Sequence, residues 1–249
     1  MIDLITLILI TLGGVLIGVG VHFIPVGGAP AAMAQATGVG TGTVQLAAGA
    51  GLTGLISAGF MYNHLALETN EITGKIIYDF TNWDFMMVIA SGAIGAMIMI
   101  TVTMFVGQLV YVYGVGVPPV SAKVKKDPIT GDVQDIYVSR GTEGHGVPTV
   151  SFVSGTIGGL LGGLGGSMIY VQLMEIVGDP TNMAVVALAG IFATGVFYVN
   201  SVLASYNIGG TIEGFHDPKF KRVPKAIISC LIASLLCAII AVPIMGGVV

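Results

Sequence analysis

The sequence predicts an all-α polytopic membrane protein of about six transmembrane helices, and three observations carry that expectation. Of 249 residues, 54% are hydrophobic and only 9% charged, against roughly a quarter charged in a soluble domain. The apolar residues fall in runs of about 20 or more, the length that crosses a hydrocarbon core of ~30 Å. The charged residues collect in the inserts between those runs. The 38 glycines lie inside apolar segments without a collagen period, which favours close helix packing over disorder.

Taken in order, residues 4–24 form a first span, with Gly14 and Gly18 as a small-xxx-small pair. Residues 26–62 are almost free of charge, but one helix of that length would be roughly 50 Å long. The segment must bend, break or start outside. Residues 37–43 alternate glycine with Val and Thr, a poor helix sequence and a plausible unwound stretch in a protein-lined cavity, so the second span is placed at 44–62. Residues 63–84 carry Glu68, Glu71, Asp79 and Asp84 against Lys75 and are read as an acidic loop, with Tyr62, Tyr78 and Trp83 as interfacial anchors. A Met-rich third span covers 85–113. The polar insert 114–146 holds Lys123, Lys125, Lys126 and the turn signal Asp127-Pro-Ile-Thr-Gly131, and partial alternation over 133–138 points to a small hairpin. The fourth span, 147–176, is again over-long. The turn Gly178-Asp-Pro180 leads into a fifth span at 183–206, and the basic insert 207–225 precedes a sixth at 226–248. The whole chain reads as a single membrane domain.

Six spans place both termini on one side. Every Lys and Arg except Lys75 then lies on the opposite face, which the positive-inside rule makes cytoplasmic; both termini face out. Met1-Ile-Asp3 is acidic where a secretory signal is basic, so the first segment is read as a permanent helix. Net charge -4 offers no broad basic surface for nucleic acid. Cys230 and Cys237, seven residues apart in one helix, stand roughly 10 Å apart, beyond disulfide reach.

Two segments repeat a pattern. His145-Gly-Val-Pro148 precedes a glycine-rich run, and His22-Phe-Ile-Pro25, followed by Gly27 and Gly28, precedes Thr37-Gly-Val-Gly-Thr-Gly-Thr43. Each His-x-x-Pro stands at the cytoplasmic mouth of an over-long segment, and spans two-three and four-five become candidate internal repeats, as in transporters. His22, Pro25, Gly27, Glu143, His145 and Pro148 are the candidate mouth residues: one acid and two imidazoles that could handle a proton or an anionic group. Interfacial histidines that hydrogen-bond a helix start are the plainer explanation, and no Cys/His cluster completes a metal site. Gly155, Gly159 and Gly163 form one helical ladder and Gly158, Gly162 and Gly166 another beside it. Tight packing explains them best, with a bare-backbone wall for an ion path as the alternative. Charged residues deep in the spans are almost absent. Glu175, Asp179, Asp84 and Asp3 fall near helix ends, where anchoring is the commoner role. A sodium ion could still be held by oxygens of Thr37, Thr41, Gln45 and Gln172 with unwound carbonyls.

At residues 22–34, 36–43, 120–123 and 141–150, in strings such as His22-Phe-Ile-Pro-Val-Gly-Gly-Ala-Pro30 and Gly141-Thr-Glu-Gly-His-Gly-Val-Pro148, the chain resembles the D subunit of the methanogen tetrahydromethanopterin S-methyltransferase. The likeness extends over nearly the whole chain. It implies an archaeal cell-membrane complex that moves a methyl group from methyl-tetrahydromethanopterin to coenzyme M through a cobalamin, coupled to sodium export. It also implies that the corrinoid belongs to the A subunit, that the C and E subunits are polytopic partners, and that this chain binds no cofactor and carries no catalytic residue of its own. Its role would then lie in the sodium path or its coupling surface. A free-standing secondary transporter and a purely structural scaffold are the competing classes.

Overall fold

The computed structural model describes residues 4–24, 41–68, 83–110, 126, 136–139, 142–145, 148–208 and 218–247. Among the described residues there are six long helices: α1 Leu4–Phe23, α2 Thr41–Glu68, α3 Trp83–Val110, α4 Pro148–Val177, α5 Met183–Ile208 and α6 Val223–Gly246. Five described stretches, within or around α1, α3, α4, α5 and α6, are long and apolar enough to cross a membrane. The fold class is that expected. β1 Ile136–Ser139 and β2 Thr142–His145 form a hairpin, antiparallel with Ile136 opposite His145, in the insert where alternation pointed to one.

Several boundaries differ from the sequence reading, each for a local reason. α2 starts at Thr41, inside the stretch expected to be unwound, and runs to Glu68, well into the expected acidic loop. Leu65-Ala-Leu-Glu68 is good helix-forming sequence and needs no hydrocarbon to stay helical. α3 begins at Trp83, with Asp84 in its first turn, where a carboxylate suits the positive end of the helix. α4 is one uninterrupted helix of 30 residues, about 45 Å long. It is over-long as expected but not broken. Between α4 and α5, Gly178 takes φ 70°, a left-handed backbone conformation that glycine adopts without penalty. The Thr181 N–H and hydroxyl both donate to Asp179 Oδ1 at 2.9 and 2.7 Å, and these bonds hold that carboxyl below the usual aspartate range.

α4 is the hub, packed against α1, α2, α3 and α5, with α6 closing around α1 and α5. Gly13 meets Gly165 while Gly20 meets Gly158, so α1 and α4 are antiparallel; Gly14 meets Ser234 and Gly18 meets Cys230, so α1 and α6 are too. α2 and α4 run the same way, since Gly54 lies by Gly163 and Gly59 by Tyr170. The start of α1 and the end of α6 therefore share one end of the bundle. Large apolar side chains on the rim, such as Ile56, Phe60, Ile98 and Ile240, are largely exposed, the inversion expected where the solvent is lipid.

Candidate functional site

The bundle has two chemically different ends. One gathers the C-termini of α1, α3 and α5, the N-termini of α2, α4 and α6, and the basic residues Lys221, Arg222 and Lys225. The other carries Asp84, Glu175 and Asp179. His22 and Pro148, from the two expected mouths, both belong to the basic end. The Ser154 hydroxyl donates 2.6 Å to the Phe23 carbonyl, tying the first turns of α4 to the end of α1. The mouths are thus adjacent at the level of the helices that bear them.

His22 is fully buried. Its Nδ1 lies 2.8 Å from the Gly18 carbonyl, and a carbonyl only accepts, so Nδ1 carries the proton. Nε2 then accepts from the Asn207 amide at 3.1 Å, and the same amide nitrogen donates to the Arg222 carbonyl at 2.9 Å. Arg222 in turn donates to the Asn207 and Ile208 carbonyls, both at 3.0 Å, two of the acceptors that the end of α5 leaves open. His22 is therefore held in one tautomer as the joint between α1, α5 and the short 3-10 turn Pro218–Arg222. Glu143 and His145 occupy alternate positions of β2, and Pro148 opens α4, where a missing N–H costs nothing. Pro25, Gly27 and Thr37 lie outside the described residues. Thr41 and Gln45 fall in the first two turns of α2.

The glycine ladders meet different neighbours. A Cβ on Gly159 would stand 2.7 Å from Ile100 Cγ2, and one on Gly163 would stand 2.6 Å from the Gly92 carbonyl oxygen; this ladder, with Gly155 buried at its start, faces α3. Gly158 meets the Gly20 carbonyl of α1. Gly162 and Gly166 face the Phe197 ring of α5, with room to spare at Gly162, where a Cβ would lie 3.5 Å from the nearest ring carbon. Between them, Gly158, Gly159, Gly162 and Gly163 line a cavity of about 10 Å³ with Phe197 and Val21, about the space of one water centre.

Polar groups buried between helices are what the sequence reading underrated. Asn200, fully buried on α5, donates to the Val196 carbonyl at 2.8 Å and accepts from the Ser234 hydroxyl of α6 at 3.1 Å. Both sit where Gly14 of α1 leaves space. Tyr62 and Glu175, read as interfacial anchors, are 1% and 5% exposed, and the Tyr62 hydroxyl donates to Glu175 Oε1 at 3.2 Å. Gln172, one turn before Glu175 on the same face of α4, is fully buried. The spacing Gln172-x-x-Glu175 inside an apolar helix was the available signal, since an ionisable residue within a span is costly unless it serves a purpose. Tyr62 and Tyr170, edge to face at 6.3 Å between centroids, form the inner wall of a groove of about 760 Å³ between α2 and α5. Among the described residues no group of three or more His, Cys, Asp or Glu could hold a metal ion.

These features define a polytopic membrane protein whose helices are joined backbone to backbone through glycine, with polar joints placed between them. Residues 3–234 match the sequence model of the D subunit of tetrahydromethanopterin S-methyltransferase, and the chain belongs to that family. Among its relatives of the same name, the protein of Methanosarcina barkeri is 61% identical over 96% of this chain and 94% of its own length. That of Methanopyrus kandleri is 57% identical over 94% of each, and that of Methanocaldococcus jannaschii 53% identical over 96% of each.

Proposed function

We propose that this chain is a membrane component of a complex that couples methyl transfer from methyl-tetrahydromethanopterin to coenzyme M, through a corrinoid on another subunit, to export of sodium. Its own part is to border the sodium path and to present the surface at which the state of the corrinoid protein is felt. The basic end is that surface, facing the cytoplasm. The observation that carries this reading is the convergence there of the α1 end and the α4 start, bonded through Ser154 and Phe23, so that one contact reaches two helices of the glycine-packed centre at once. Polytopic proteins, the C and E subunits by resemblance, are its partners in the membrane, with the corrinoid-bearing A subunit at the basic end.

The reading is tested by replacing Glu143 and His145 with Ala in the assembled complex and measuring methyl transfer and sodium uptake separately. The expected outcome is a fall in the number of sodium ions moved per methyl group. Unchanged coupling removes the hairpin from the surface. Purification of the chain alone or as a homo-oligomer, without a corrinoid protein, would favour a free-standing transporter instead.

A further inference from the structure

Glu175 is 5% exposed in the last turn of α4, where the helix macrodipole presents its negative end and disfavours an anion. α2 and α6 also end on this side while α1, α3 and α5 begin there, so the other helix termini offset one another and the cost comes from the carboxylate's own helix. Burial in a span adds a desolvation cost of its own. Anchoring to the interface explains none of this, because an anchor would be exposed.

The groups around the carboxylate offer oxygens of the kind that hard cations prefer. Tyr62, fully enclosed on α2, brings its hydroxyl to 3.2 Å from Glu175 Oε1. Gln172, fully buried, places a side-chain amide one turn away on the same face. Tyr62 also belongs to the wall of the groove between α2 and α5, which reaches Asn63 and Pro180 at the acidic end, so the partner of the carboxylate borders a way out. We infer that Glu175, Tyr62 and Gln172 form a binding site for a hard monovalent cation, at the end of the bundle opposite the basic surface. The inference rests on the reading that this chain borders a sodium path, and it names where in the chain the ion is held before release.

The test uses the assembled complex in sealed vesicles. A hydrophobic carbodiimide is expected to modify Glu175, located by mass spectrometry, about tenfold more slowly in sodium chloride than in choline chloride, as for a carboxylate shielded by a bound ion. Tyr62→Phe removes one hydrogen bond to a charged group and is expected to raise the sodium concentration for half-maximal uptake about tenfold. Glu175→Gln raises it further, and Glu175→Asp restores part of the loss. Equal modification rates in the two salts overturn the site, as does a Glu175 that reacts in neither salt while Tyr62→Phe takes up sodium as the unaltered complex does. In both cases continued sodium uptake by the unaltered complex leaves the proposed function standing. Unaltered vesicles that turn over methyl groups and accumulate no sodium overturn that function and this site with it.

Discussion

Small polar side chains decide how α1, α5 and α6 meet. Asn200 and Ser234 satisfy one another across α5 and α6 at 3.1 Å, whereas Ser201 and Ser205, buried on a nearby face of α5, have hydroxyls with no partner among the described residues. The two cases separate by substitution. Ser234→Ala leaves Asn200 Oδ1 without its donor and is expected to destabilise the protein by about 0.6–1.7 kcal/mol, the range for such bonds in membranes. Ser201→Ala and Ser205→Ala remove groups that are buried without return and are expected to be neutral or stabilising by up to about 1 kcal/mol. Unfolding in a denaturing detergent titration, followed by far-ultraviolet circular dichroism, measures all three. Stability that falls on Ser201→Ala would contradict the absence of a partner for its hydroxyl among the described residues. The residues themselves were visible in the sequence, but the Asn200–Ser234 pairing spans 34 positions, beyond the reach of any local pattern.

At the scale of the helix, adjacent glycines of α4 carry different duties. A Cβ on Gly163 would lie within 2.7 Å of the Gly92 oxygen and the Ala93 Cα, backbone that cannot step aside, while a Cβ on Gly162 would meet only the Phe197 ring at ordinary contact distance. Gly163→Ala is expected to cost about 1–3 kcal/mol through overpacking. Gly162→Ala is expected to be tolerated, gaining up to about 1 kcal/mol in helix propensity. The same unfolding titration distinguishes them, and equal losses would contradict the packing described. Sequence periodicity found both ladders and their likeness. It could not tell them apart, because that depends on which helix each ladder faces.

The whole molecule is polarised, with the described basic side chains of α6 and the turn before it at one end and Asp84, Glu175 and Asp179 at the other. Such segregation orients a bundle in the membrane through the basic end. In right-side-out vesicles, an impermeant maleimide is expected to label Met183→Cys, exposed at the acidic end, and to leave Lys221→Cys unlabelled until the membrane is opened. Cys230 is buried and Cys237 half-buried, which limits background. The reverse pattern would turn the protein over and place the basic surface outside.

By itself the sequence determined the class and the basic end, because apolar run length and the placement of Lys and Arg are properties of the chain read locally against a ~30 Å bilayer. Only the tertiary structure decided that α4 is the hub, that His22 is held by Gly18 and Asn207, and that Tyr62 and Glu175 are buried together 113 residues apart. Such pairings arise where glycine lets two backbones approach, and which glycine meets which helix is settled by the packing of the bundle as a whole.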